Sequence, residues 1–168
     1  MKAFLFRALL TSGAALLSSN GAAAQVRPDS AVLSFVGQKE LRELVLAHGD
    51  TVDSEKPLDE PSVRGLTKDG IRYLLIAAEC PRNNTTTCTG IMMQVRYTAD
   101  DKVTHKGITE ANAREAAVGT WWDEQSKIVG FTRFVYLSGG VTWGNLKSNL
   151  TLLLSASKTA GGIVWQSR

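Results

Sequence analysis

The chain has 168 residues, 43% of them hydrophobic and 21% charged, with a formal net charge of +3. This composition predicts one compact domain with an ordinary core and excludes a disordered tail. The nearly balanced charge argues against nucleic-acid binding. Because no apolar run reaches the roughly 18 residues of a membrane-spanning helix, we expect no stable membrane insertion.

Residues 1–24 have the pattern of a secretory signal peptide. Lys2 and Arg7 precede an apolar stretch, and the small residues up to Ala24 fit the requirements of a signal peptidase. We therefore expect cleavage after Ala24, a single domain formed by residues 25–168, and a periplasmic or secreted mature protein. The alternative, an uncleaved anchor, would need a longer apolar run.

The next part of the chain predicts a helix followed by a meander of strands. Leu41, Leu44 and Val45 recur at helical spacing within Gln38 to His48, and Gly49 is placed as the stop. Three antiparallel strands are expected after it, at Ser62 to Thr67, Ile71 to Glu79, and Ile91 to Thr98.

The second half of the chain predicts a helix, a hairpin and a last helix. Helix-forming residues run from Thr109, the expected N-cap, to Ala117. Strands are expected at Thr120 to Trp122 and Val129 to Leu137. A C-terminal helix is expected from the cap Thr142 to about Ser157, with Gly161-Gly162 ending it. The expected fold is α+β: a helix, a three-stranded antiparallel meander, a helix, a two-stranded hairpin and a C-terminal helix.

Cys80 and Cys88 are separated by seven residues. This spacing fits neither a zinc knuckle nor a C-x-x-C redox motif. In an exported protein we expect the two cysteines to form a structural disulfide across a loop between two strands, with a pair of free thiols as the alternative. Closing a ring of about nine residues should stabilise the fold by roughly 2.5 kcal/mol.

No motif in the sequence indicates catalysis, a metal site or a cofactor. A nucleophile elbow of the G-x-S-x-G type does not occur, and neither His48 nor His105 has a second His or Cys at metal-binding spacing. Asp100-Asp101 does not have the regular oxygen-ligand spacing of a calcium loop. We therefore expect a protein that is not an enzyme and needs no cofactor.

Trp121 and Trp122 are the candidate partner-binding residues. Because adjacent residues of a strand point to opposite faces, one of the two is expected outside the core unless both faces of the sheet are covered. Large exposed aromatic side chains supply much of the binding energy at protein interfaces. The alternative is that both tryptophans pack in the core.

Several motifs occur together in the order Gly70-Ile71-Arg72-Tyr73, Cys80 with Cys88, Ile108 to Asn112, Trp121-Trp122-Asp123, Leu137 to Thr142, and Asn145 with Asn149. Over roughly residues 34–157 the chain resembles the YbjN family, which is described as bacterial sensory transduction regulators. The resemblance implies the fold of type III secretion chaperones. Glu79 stands where the family often has a glycine before the first cysteine.

These predictions together indicate an exported, non-catalytic domain that binds another protein or helps it fold, with a regulatory role implied by the resemblance. The partner is an unknown protein, and a homodimer is a further arrangement that the sequence leaves open. The alternative function is a periplasmic small-ligand or envelope-stress sensing module that uses the space between the sheet and the terminal helices.

Overall fold

The computed structural model describes residues 27–57 and 61–166, and within them the chain forms three helices and eight strands. The predicted signal peptide and its cleavage site lie outside the described residues. The elements, in chain order, are β1 (Val32–Leu33), α1 (Gln38–Ala47), β2 (Thr51–Pro57), β3 (Pro61–Leu66), β4 (Arg72–Ala78), β5 (Gly90–Thr98), α2 (His105–Arg114), β6 (Gly119–Asp123), β7 (Ile128–Tyr136), β8 (Val141–Thr142) and α3 (Trp143–Gln166). The predicted α+β class, with three helices and antiparallel strands, is confirmed.

Six strands form one antiparallel sheet in the order β2-β3-β4-β5-β7-β6, and β1 pairs with β8 in a separate two-stranded sheet. The meander therefore has four strands, because β2 precedes the three that the sequence predicts. Strand β2 gives a weak sequence signal: its residues are mostly polar, and its pairing with β3 shifts register between Val52 and Ser54. Such a bulge breaks the alternation of side chains that identifies a strand.

The helices pack on one face of the large sheet, with α1 against β2, β3 and β4, and α3 against β5 and β7. Helix α1 matches its prediction and buries Leu41, Leu44 and Val45. At its start the Glu40 carboxylate accepts the Gly37 N–H at 3.0 Å. Helix α3 buries a long apolar stripe on the sheet, formed by Trp143, Leu146, Leu150, Leu153, Ala160 and Val164.

The other two helices depart from their predicted ends. Helix α2 begins at His105 and is capped by Thr104, whose hydroxyl accepts the Gly107 N–H at 3.1 Å, so the expected cap at Thr109 is wrong. The expected stop of the last helix at Gly161-Gly162 is also wrong, because α3 continues to Gln166. Packing of the last turn outweighs the weak helix propensity of the two glycines.

The predicted disulfide between Cys80 and Cys88 is confirmed, and it closes the loop between β4 and β5. This loop is also tied to the segment before α1, because the N–H and C=O of Cys88 bond to the backbone of Val36 at 3.1 and 2.9 Å. Glu79, just before the first cysteine, has a φ of +54°. This left-handed conformation favours glycine.

Candidate functional site

One face of the six-stranded sheet carries the helices, and no element of the described residues packs on the other, which we call the open face. Strand register decides which side chains lie on it. Residues of neighbouring strands that face each other in register form rows across the sheet, and alternate rows along each strand point to the same side.

An apolar row crosses the open face. Ile76, Met92 and Phe134 are partners on β4, β5 and β7, and Tyr136 lies in the next row on the same side. Phe134 is 48% exposed and Tyr136 is 58% exposed, whereas Ile76 is only 9% exposed. A Cβ atom at Gly90 would lie 2.5 Å from the Phe134 ring, so this glycine leaves room for the ring to lie against the strand.

Trp121 also lies on the open face, where its indole packs over Gly130. Its position is fixed by two contacts. The indole N–H donates to the Thr132 hydroxyl at 2.8 Å, and the Arg96 guanidinium carbon lies 5.7 Å from the ring centroid. Trp121 is therefore a partly exposed aromatic side chain held in one orientation.

Trp122 points to the helix-covered face of the sheet. Its ring centroid lies 5.1 Å from that of His105 on α2, and it packs against the buried core. Its indole N–H is buried without a hydrogen-bond partner among the described residues. The two tryptophans thus lie on opposite faces, and a partner-binding role for either stays a prediction.

Three arginines, Arg64, Arg72 and Arg96, surround a shallow depression of about 180 Å³ beside the apolar row. Arg96 Nε donates to Gln94 Oε1 at 2.8 Å, and its Nη2 donates to the same oxygen. Arg72 Nε lies 3.4 Å from Asp53 Oδ2. The open face therefore combines an apolar row with a basic end.

The edges of the sheet are protected from strand addition. At the β6 edge, the Asn112 side chain of α2 accepts the N–H of Thr120 and donates to its C=O, both at 2.8 Å. It takes the place of a neighbouring strand at this residue. At the opposite edge, strand β2 contains a bulge, and bulges are a common way of discouraging strand pairing. A partner would therefore meet the face of the sheet more readily than its edges.

A polar network that the sequence did not reveal centres on the buried carboxylate of Asp50. Its Oδ2 accepts the Tyr73 hydroxyl at 2.8 Å and lies 2.7 Å from His48 Nδ1. His48 Nε2 lies 3.1 Å from the Thr151 hydroxyl on α3. Burial, together with the bond to Asp50, raises the pKa of Tyr73 above its usual range. The only sequence signal was the short spacing of His48 and Asp50 around the end of α1.

This network has the residue types of a hydrolytic triad but not its setting. The Thr151 hydroxyl already donates to the Lys147 carbonyl at 3.1 Å, within the interior of α3. Backbone N–H groups at that position are used by the helix itself, so none is free to stabilise an oxyanion. The network instead links α1, β2, β4 and α3 around one carboxylate.

A second concavity, of about 410 Å³, lies between the end of β5 and the end of α3. Tyr97 and Trp165 line it with their rings edge to face at 6.1 Å, and Lys158 lies at its rim. Burial raises the pKa of Tyr97. The groove is wide open on one side.

The described residues contain no group of three or more His, Cys, Asp or Glu side chains arranged to hold a metal ion. Asp100, half of the acidic pair noted in the sequence, accepts the Lys102 N–H at 3.0 Å and the Trp165 indole N–H at 3.1 Å. None of the helices described is both long enough and apolar enough to cross a membrane.

No family model and no curated protein matches this sequence. Two solved structures are similar in fold. An uncharacterised protein from Methanothermobacter thermautotrophicus has a TM-score of 0.53 and 10% identity, covering 76% of this chain and 95% of its own. The ExsC–ExsE complex contains a chain with a TM-score of 0.53 and 12% identity, covering 78% of this chain and 95% of its own. At these identities the similarity shows the fold alone, which is that of ExsC, a type III secretion chaperone-like fold.

Proposed function

We propose that this chain is an exported, non-catalytic module of the YbjN type that binds another protein, or assists its folding, through the open face of its sheet. The observation that carries the proposal is the apolar row on this face together with Tyr136 in the next row, because Phe134 and Tyr136 are each about half exposed. Contiguous exposed aromatic side chains mark interaction surfaces in soluble proteins.

The size of this row is sufficient for a binding site. Covering the exposed halves of Phe134 and Tyr136 would remove roughly 150–250 Å² of surface from water, which is about 4–6 kcal/mol before the cost of association. The net charge of the chain is only +3, so a long-range field is too weak to supply this energy. The apolar contacts would therefore dominate the affinity.

Two further observations support a protein partner. The similar ExsC chain was solved in a complex with ExsE. In this chain, the Asn112 contacts block strand addition at Thr120, whereas no element of the described residues packs on the open face. A regulatory role is supported by the resemblance to the YbjN family, and export is supported by the N-terminal sequence pattern.

The proposal is tested by photocrosslinking in the producing cell. A photoreactive phenylalanine analogue is placed at Phe134 on the open face and, as a control, at Leu152 on α3, which is 39% exposed. We expect the first position alone to crosslink to one discrete protein, which is then purified and titrated with the chain. Crosslinks that are equal at both positions, or absent at Phe134, would contradict the proposal.

Replacing each adjacent tryptophan by alanine separates binding from stability. Trp122→Ala removes a side chain that packs against the core and should cost about 3 kcal/mol of unfolding free energy. Trp121→Ala removes a cross-strand contact and a cation–π contact, so we expect about 1–2 kcal/mol. Only Trp121→Ala should weaken binding of the crosslinked partner in the folded protein, and equal binding by both variants would exclude Trp121 as an anchor.

Export is tested on the protein isolated from the envelope fraction. N-terminal sequencing should give Gln25 as the first residue, in accordance with cleavage after Ala24. A chain that still starts at Met1 in the cytosol would refute this part of the proposal.

The second candidate function is small-ligand sensing, and the groove between Tyr97 and Trp165 favours it. Its volume of about 410 Å³ lies within the range of small-molecule sites. The test is Trp fluorescence during titration with amphipathic aromatic anions, comparing the natural chain with Trp165→Phe. A saturable change that disappears in the variant would support the sensor.

A further inference from the structure

We propose that the segment bound by the open face is acidic and amphipathic, with apolar side chains against Met92, Phe134 and Tyr136 and carboxylates at the three arginines. This inference rests on the proposed function and specifies the chemistry of the partner.

In the part of the open face that the structure describes, the arginines outnumber the carboxylates near them. Arg64, Arg72 and Arg96 surround one depression, and among the described residues only Asp53 brings a carboxylate near any of them. That carboxylate is 3.4 Å from Arg72 Nε. The exposed Arg64 guanidinium has no ion pair or hydrogen bond with any described residue. Guanidinium groups without a carboxylate partner are suited to bidentate binding of one from outside.

Arg96 is already held in an orientation suited to binding. Gln94 is only 6% exposed, and its Oε1 accepts both Nε and Nη2 of Arg96. The guanidinium also lies over the Trp121 ring, 5.7 Å from the centroid. These neutral contacts fix the side chain without cancelling its charge, so less rotamer entropy is lost when a carboxylate binds.

The spacing of the two groups defines the partner further. Arg64 is in register with Leu74, and Leu74 is two residues from Ile76 on the same face of β4. Alternate residues of a strand are separated by roughly 7 Å. A segment that fits must therefore carry acidic side chains roughly 7 Å from its apolar side chains. An amphipathic segment, in which polar and apolar side chains lie next to each other, meets this requirement.

A second copy of this chain is a poorer occupant of the same face. A two-fold contact through the open face would bring a second set of the same three arginines to the interface, and among the described residues the one ion pair of each set is that of Arg72 with Asp53. Like charges brought together at an interface oppose association. Charge complementarity therefore favours an acidic partner over self-association.

The test uses three fluorescein-labelled peptides of about 18 residues, or five helical turns, each with leucines on one face. Glutamate, glutamine or lysine occupies the positions that directly flank the leucines, so that these side chains can reach the arginines beside the apolar row. Fluorescence anisotropy with the purified protein should show the glutamate peptide binding about tenfold more tightly than the glutamine peptide, with the lysine peptide weakest. Raising the salt from about 0.05 to about 0.5 M should reduce this difference, because it shortens the screening length to roughly 4 Å.

Two variants assign the effect to the open face. Arg64→Glu should weaken the glutamate peptide about tenfold and leave the glutamine peptide unchanged. Lys106→Glu makes the same change of charge on the exposed side of α2 and should alter neither. Phe134→Ser should weaken both peptides, and its urea midpoint is measured in parallel to establish that it folds.

The outcomes separate this inference from the proposed function. Equal binding of the glutamate and glutamine peptides, both lost in Phe134→Ser, would overturn the acidic partner and leave the apolar docking face standing. No binding of any peptide, or binding insensitive to Phe134→Ser, would overturn both. A dimer in sedimentation velocity that dissociates in Phe134→Ser would also overturn the inference, because a second copy would then occupy the face.

Discussion

Replacing Tyr73 by phenylalanine measures the strength of the buried network around Asp50. Tyr73 is 2% exposed, and its hydroxyl donates to Asp50 Oδ2 at 2.8 Å. The Asp50 side chain is itself only 6% exposed, so water cannot readily replace the lost donor. A hydrogen bond to a charged group contributes roughly 1.5–3 kcal/mol, and the remaining contact with His48 compensates in part. We expect Tyr73→Phe to lower the free energy of unfolding by about 2 kcal/mol.

The matched control is Tyr136→Phe, which removes the same atom from a side chain that is 58% exposed. Its expected effect is below about 0.5 kcal/mol. Urea denaturation followed by circular dichroism gives both values, provided that the slopes with denaturant agree between variants. Should the two variants differ by less than about 0.5 kcal/mol, the Asp50 network would have no stabilising role and the reasoning would fail.

Three other perturbations have expected outcomes. Asn112→Ala should cost about 1–3 kcal/mol and speed hydrogen exchange at the Thr120 amide, because that residue loses two bonds of 2.8 Å; unchanged exchange would contradict the edge contact. Cys88→Ser should lower the unfolding free energy by about 2–3 kcal/mol in urea denaturation. In the natural chain, alkylation of both Cys80 and Cys88 under unreduced, denaturing conditions would rule out the disulfide. Raising the pH above about 10 should destabilise the protein, since burial raises the Tyr73 pKa above its ordinary 10.0 and the unfolded chain releases this proton first. The contribution of Tyr73 to the free energy of unfolding is fully present below about pH 10 and is lost as the pH rises further. Urea denaturation at about pH 9 and 11 should therefore show a smaller loss of unfolding free energy in Tyr73→Phe than in the natural chain.

Hydrophobic periodicity predicts the elements with strong apolar patterns, but it does not predict the presence or the ends of elements that depend on tertiary contacts. Helix α1 and strands β4 and β5 were predicted because their buried residues recur at regular spacing. Strand β2 was missed because its bulge and polar residues hide the alternation. The N-cap of α2 was misplaced because Thr104 and Thr109 are both suitable caps, and only the contact of Thr104 with Gly107 distinguishes them.

The candidate site was predictable in part for the same reason. The alternation of strand side chains placed Trp121 and Trp122 on opposite faces, but the sequence did not indicate which face the helices cover. The arginines illustrate a second limit. Arg64 and Arg96 are far apart in the chain and converge only because β3, β4 and β5 are neighbours in this register. Pairing of distant strands is a property of the whole fold, which local patterns do not encode.

The end of α3 has a dynamic consequence. Gly161 and Gly162 lie inside the helix, where each weakens it by roughly 0.5–1 kcal/mol relative to alanine. The turn after them is retained by buried Val164 and by Trp165, whose indole bonds to Asp100. Unwinding this turn should therefore cost less than unwinding the earlier turns, and its amides should exchange with solvent before the rest of the helix. One side of the groove beside Tyr97 is formed by this last turn. The depth of the groove would therefore fluctuate as the turn unwinds and refolds, and the local stability of six residues, 161–166, would set how often it is fully formed.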